Sequence, residues 1–110
     1  MGKMQIINLS LLNEQEKSVL DHIVNKHYGR ISKIVDNFDS IILHIKEFKL
    51  SKNQKEGSKK KRKNYSFILR VVYGKNVFES SNDSWDLDKA LNEVFQKVEK
   101  EIEHKFRESF

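Results

Sequence analysis

The chain has 110 residues, 37% of them apolar and 34% charged, with a formal net charge of +5 and neither cysteine nor proline. That suits one domain with a modest core, a layer of helices on a single sheet. The missing cysteines exclude disulfides, thiolate metal sites and thiol nucleophiles, and no apolar run approaches the roughly 20 residues that span a bilayer.

Met4 to Leu9 is short, apolar and β-branched at Ile6 and Ile7, and it reads as a first strand. Asn13 stands three residues before Glu16, the signature of a capping box, and Leu20, Ile23, Val24, Tyr28, Ile31 and Ile34 follow at helical spacing. A first amphipathic helix over 14–35 is predicted, with a kink or break expected at Gly29. Asp36 to Asp39 forms a turn cluster. Ser40 to Lys49 alternates as a strand, with Ile41, Leu43 and Ile45 on one face. A second alternating run, Tyr65 to Tyr73, is joined through Gly74-Lys75, a turn of the Gly-first type, to a return strand over Asn76 to Ser81. Asp83 or Ser84 is expected to cap a last helix reaching about Arg107, with Leu87, Leu91, Val94, Val98 and Ile102 as its apolar stripe. Trp85, just before that helix, is expected in the core or as a hydrophobic staple. The predicted order is β-α-β-β-β-α: an α+β domain over 1–110, a four-stranded sheet with both helices on one face and the other face partly open.

Residues 51–64 hold seven Lys or Arg and one Glu, a local +6 that leaves −1 on the remainder of the chain. The segment is too polar to fold alone and reads as a flexible basic loop. Its core, Lys59, Lys60, Lys61, Arg62 and Lys63, suits an arm that follows a phosphate backbone, although a solvated loop or a nuclear-localisation signal would look the same. On the last helix, Lys89, Lys97, Lys100, His104 and Arg107 fall opposite the apolar stripe, interrupted by Glu93 and flanked by Glu99, Glu101 and Glu103. An ordinary solvated face with ion pairs such as Glu93–Lys97 explains this pattern equally well. Lys26, His27, Arg30 and Lys33 cluster near the end of the first helix, where cations also complement the helix dipole.

The four histidines, at 22, 27, 44 and 104, show no metal-ligand spacing. Each reads as a surface or satisfied residue. Asp83, Asp86 and Asp88 lack the spacing of a calcium loop, and capping explains Asp83 and Asp86 better. No glycine-rich phosphate loop and no nucleophile constellation is present. No cofactor, no metal and no small-molecule substrate is therefore expected, and the chain reads as non-enzymatic.

With these elements in place, Val77 to Lys105 resembles the ribosome hibernation-promoting factor and ribosome-associated inhibitor A family. That family runs from a hairpin strand into a helix of the form Asp-Met-Tyr-Ala-Ala-Ile-Asp, then Asp-Lys-Leu-x-x-Gln-Leu. Here the stretch reads Asp86-Leu87-Asp88-Lys89-Ala90-Leu91-Asn92, then Gln96-Lys97-Val98-Glu99-Lys100-Glu101-Ile102. On the first helix, the family's Lys-x-x-Lys-Leu corresponds to His27-Tyr28-Gly29-Arg30-Ile31. The resemblance implies a fold close to a double-stranded-RNA-binding domain. It also implies binding to small-subunit rRNA near the decoding centre, with steric block of initiation and protection of idle ribosomes under stress. The implied contact residues are His27, Arg30, Lys97, Lys100, His104 and Lys105. Lys33 and the loop cations, Lys59 to Lys63, are added from the charge pattern. Three departures stand out: Asp88 replaces an aromatic residue, His27 replaces a lysine, and the loop is longer and more basic than the family norm.

The expected protein is thus a cytoplasmic, ribosome-associated translation inhibitor. It is expected to need no membrane and to self-associate at most weakly. The first residues show no signal-peptide apolar region. The chain also lacks the second domain with which long family members pair ribosomes, so ribosome dimerisation is not implied. The competing readings are a general structured-RNA binder, against which the acidic start of the last helix counts, and a non-enzymatic adaptor whose basic loop grips an acidic partner.

Overall fold

The first apolar run becomes β1 (Lys3–Ile7) in a computed structural model that describes residues 3–35, 38–46, 49–50 and 63–108. The strand stops before Leu9 because Asn8 turns left-handed, with φ 67°, a conformation Asn tolerates better than most residues. The Asn8 amide donates to the Ile45 carbonyl at 3.2 Å, and the chain then makes one 3-10 turn, Leu9–Leu11.

Helix α1 (Glu14–Ile34) opens with the capping box expected from the sequence. The Glu16 amide donates to Asn13 Oδ1 at 2.8 Å, and the Asn13 amide donates to Glu16 Oε1 at 2.9 Å. The helix is continuous through Gly29, so the expected break is absent. A Cβ built at Gly29 meets nothing within 4 Å. Gly29→Ala is therefore expected to stabilise the fold by about 0.5–1 kcal/mol, through the lost backbone freedom of the unfolded chain. Urea denaturation would show a higher midpoint at unchanged slope. A lower midpoint would mean that Gly29 is needed for close packing.

The predicted second strand is divided into β2 (Ser40–Ile45) and β3 (Lys49–Leu50). Both pair antiparallel with β4 (Lys63–Tyr73). Ile45 pairs with Phe67 but Lys49 with Asn64, so the register of pairing with β4 shifts by one residue between β2 and β3. β5 (Asn76–Ser84) returns along β4 and runs three residues beyond the predicted Ser81. The turn between them uses Gly74 at φ +58°, and the Gly74 amide donates to Asp39 Oδ2 at 2.7 Å. β1 pairs parallel with β2, giving a mixed sheet four strands wide in the order β1-β2-β4-β5, with β3 extending the line of β2.

One sheet face presents Ile41, Leu43, Ile45, Phe67, Leu69, Val71 and Phe78, all buried. They share one core with Leu20, Ile23, Val24 and Ile31 of α1 and with Leu91, Val94, Phe95, Val98 and Ile102 of α2 (Leu87–Glu108). Both helices therefore cover the same face, as the alternation predicts. The other face carries Ile7, Ile42, His44, Ile68, Arg70 and Glu79 around a shallow depression of about 140 Å³.

Two expectations at the start of α2 are corrected. The cap is Asp86 rather than Asp83 or Ser84: Asp86 Oδ1 accepts from the Lys89 amide at 3.3 Å. Trp85 is not in the core but 42% exposed. Because β5 runs on to Ser84, the alternation that sends Phe78 and Ser80 inward assigns Trp85 to the outer side.

Candidate nucleic-acid interface

The apolar stripes of α1 and α2 point at the same sheet, which sets the helices side by side and leaves a groove between their outer flanks. Arg30, Gln96, Glu99, Lys100 and Glu103 line it, around a volume of about 290 Å³. Arg30 is supplied by α1, from the flank of its buried arc, and Lys100 by α2, from the side turned away from its own buried arc. The Arg30 side chain is 57% exposed. Lys100 is exposed and makes no bond to any described residue. Lys33 is exposed on α1, one turn beyond Arg30.

The other predicted contact residues are distributed differently. Lys97 stands on the far flank of α2, where its ammonium donates to the Ser81 carbonyl at 3.1 Å and to Asn82 Oδ1 at 3.0 Å. Asn82 also donates to Glu93 at 2.9 Å, so the expected Glu93–Lys97 contact is replaced by two contacts meeting at Asn82. His104 and Lys105 are exposed in the closing turns of α2. Lys63 begins β4, its side chain outside the described residues, as are Lys59, Lys60, Lys61 and Arg62.

His27 is not available as a contact residue. It is 0% exposed, and its ring stacks on Phe95 with 4.8 Å between centroids. Nδ1 lies 2.6 Å from Glu99 Oε1 and Nε2 lies 2.9 Å from Asn92 Oδ1. The cause is periodicity: Ile23, His27 and Ile31 are spaced four apart, in the middle of the apolar stripe. Glu99 and Asn92, which sequence reasoning did not single out, thus belong to the site. Glu99 carries a detectable signal, since it lies four residues after Phe95 and three before Ile102, at the edge of the buried arc of α2. The Lys26 ammonium reaches Asn92 Oδ1 at 3.1 Å.

At the opposite end of the domain, Tyr65 on β4 donates its phenolic hydrogen to Glu16 Oε2 at 2.5 Å. Burial, then this hydrogen bond, then the charges of Glu16 and Asp86 push the Tyr65 hydroxyl from 10.0 up to about 12. The folded state thus prefers the protonated phenol. The contribution to stability is present below pH 10 and is lost as pH rises through about 12. In an absorbance titration the Tyr65 step is expected late, near pH 12, and absent from Tyr65→Phe. A Tyr65 step near 10 would show that the contact with Glu16 does not form.

Among the described residues no group of His, Cys, Asp or Glu is arranged to hold a metal ion, and no helix is long and apolar enough to cross a membrane. The groove sets Arg30 and Lys100 beside Gln96 and Glu103 on its walls, with the buried Glu99 carboxylate at its floor.

The architecture defines an α+β domain of the β-α-β-β-β-α class. Among solved structures the chain is similar to the N-terminal domain of Protein Y from Thermus thermophilus. The TM-score is 0.58 at 13% identity, covering 96% of this chain and 99% of that domain. No family model matches the chain, and no curated protein matches it.

Proposed function

We propose that the chain is a ribosome-associated translation inhibitor of the hibernation type. It binds small-subunit rRNA near the decoding centre and acts by occlusion, with no bond made or broken. The observation that carries this reading is the groove: Arg30 and Lys100, remote in sequence and on different helices, face one open channel in a fold shared end to end with the Protein Y domain. The sequence resemblance to the hibernation family puts contact residues at the same two positions. A cytoplasmic location follows from this role. The acidic cap of α2, Asp86, with exposed Asp88 behind it, disfavours a general double-stranded-RNA binder, which needs cations at that helix start.

The basic loop adds a second contact. β3 and β4 hold its two ends together, pairing Leu50 with Lys63. That anchor lies at the Tyr65 end of β4, whereas Lys100 is roughly 20 Å along α2 from its start. Replacing Lys59, Lys60, Lys61, Arg62 and Lys63 by Ser is expected to weaken small-subunit binding and to flatten its dependence on salt by several units of slope. Co-sedimentation across a salt series checks this. An unchanged slope would remove the loop from the interface.

A further inference from the structure

A carboxylate on the floor of a polyanion groove calls for an explanation, and the hydrogen bonds around it supply one. The orientation of the Asn92 amide is fixed by its neighbours. Lys26 Nζ, which can only donate, lies 3.1 Å from Oδ1, and the Asp88 carbonyl, which can only accept, lies 2.9 Å from Nδ2. His27 Nε2, at 2.9 Å from the same Oδ1, must therefore carry a hydrogen. A neutral imidazole has one N–H to give, so its Nδ1 would be bare and would face an ionised Glu99 oxygen at 2.6 Å, lone pair against lone pair. One further proton has to lie between these two atoms. On Nδ1 it makes an imidazolium beside a carboxylate, and on Oε1 a neutral ring beside a carboxylic acid. In both descriptions the pair carries no net charge.

Arg30 is the third member of the cluster. Its Nε is 4.0 Å from Glu99 Oε1, at the outer limit of an ion pair and beyond hydrogen-bond reach, and its side chain is 57% exposed. An unshared buried carboxylate would take this guanidinium as its counter-ion and draw it down from the groove. The other charged groups facing the cluster are Lys26, which is spent on Asn92, and Lys100 and Glu103 on the groove wall. None of these three makes a bond to Glu99.

We infer that the proton shared by His27 and Glu99 cancels the carboxylate's charge and so leaves Arg30 presented to the groove's ligand, which makes His27 and Glu99 positioning residues of the polyanion site. This rests on the groove being the contact with the small subunit.

The test uses the full chain and isolated small ribosomal subunits at moderate salt. Arg30→Ala is expected to weaken binding about fivefold. His27→Gln is expected to weaken it by the same factor, and Arg30→Ala on top of it should add less than about twofold, because the guanidinium is already engaged. The double variant His27→Gln with Glu99→Gln is expected to return to within about twofold of the wild type, since no carboxylate remains to draw Arg30 away. A double variant that binds no better than His27→Gln overturns the inference and assigns the pair a purely structural role.

Should His27→Gln fail to fold, nitrogen-15 spectra of the wild-type ring together with carbon-13 spectra of the Glu99 carboxyl decide the question. Two protonated ring nitrogens, or a neutral ring beside a protonated Glu99, are expected; a neutral ring beside an ionised Glu99 overturns the inference. If Arg30→Ala leaves binding unchanged, the functional reading of the groove falls as well. If Arg30→Ala weakens binding and His27→Gln does not, only this inference falls.

Discussion

Reversing both groove cations, Arg30→Glu together with Lys100→Glu, is expected to reduce small-subunit binding about 100-fold or more at moderate salt. Each reversal removes a charge-assisted phosphate contact and adds a repulsion, and a factor of ten corresponds to only about 1.4 kcal/mol. The fold should tolerate the change, because both side chains are exposed and surface substitutions of this kind cost about 1 kcal/mol or less. Lys97→Glu is the internal control. Its ammonium is held on the far flank of α2 by Ser81 and Asn82, so its reversal should cost far less binding than either groove position. Binding measured by co-sedimentation beside urea denaturation of the same variants separates the two effects. Equal losses at Lys97 and at the groove would show that only total charge matters and that the groove is not the site.

Phe95→Ala is expected to have the largest effect on stability, about 3–5 kcal/mol. Phe95 is fully buried between the helices and the sheet, and its ring is stacked almost parallel on His27, with 8° between the planes. Truncation leaves a cavity beside a buried polar pair and lets water approach a proton-sharing contact that depends on its exclusion. Because typical domain stabilities are only about 5–15 kcal/mol, the variant should be close to unfolded at moderate temperature. Denaturant unfolding or thermal melts would measure it. A loss under about 1 kcal/mol would mean that the His27–Phe95 stack is not part of the working core.

Most of the sheet was legible in the sequence because a period of two leaves few alternatives. Ile41, Leu43 and Ile45 face Val71, Leu69 and Phe67 across the β2–β4 ladder, as the alternation requires. The capping box at Asn13 and Glu16 was legible for the same reason, since its residue types and spacing are dictated by the unpaired amides of a helix start. The interruption between β2 and β3 was not, because a one-residue shift of register leaves no mark in the composition. Nor was the length of β5: Asn82, Asp83 and Ser84 are poor strand formers, held in the sheet by pairing with Phe67, Ser66 and Tyr65.

The site was half legible. Arg30 and Lys100 were identifiable as exposed cations, but helical angles on isolated helices give no relative placement, so nothing showed that they share one groove while Lys97 faces away. As a contact residue His27 rested on the family resemblance, in which it stands for a lysine, while its own pattern left a surface or a satisfied position open. Its spacing from Ile23 and Ile31 argued for the interior, and a polar side chain can take such a position when another helix supplies partners, here Glu99 and Asn92. Those partners come from a second element, so the pattern of α1 alone could not reveal them, although Glu99's place at the edge of the buried arc of α2 marked it as a half-buried carboxylate.

The central claim is that this domain recognises the small ribosomal subunit through the α1–α2 groove. Co-sedimentation of the wild-type chain and of the Arg30→Glu, Lys100→Glu variant with isolated small subunits, large subunits and a free RNA duplex, at low and moderate salt, tests it most directly. The expected result is wild-type retention on the small subunit at moderate salt, weak binding to the duplex, and loss of retention in the variant. Equal binding of the wild type to all three, disappearing together as salt rises, would contradict the account and leave a nonspecific polyanion binder.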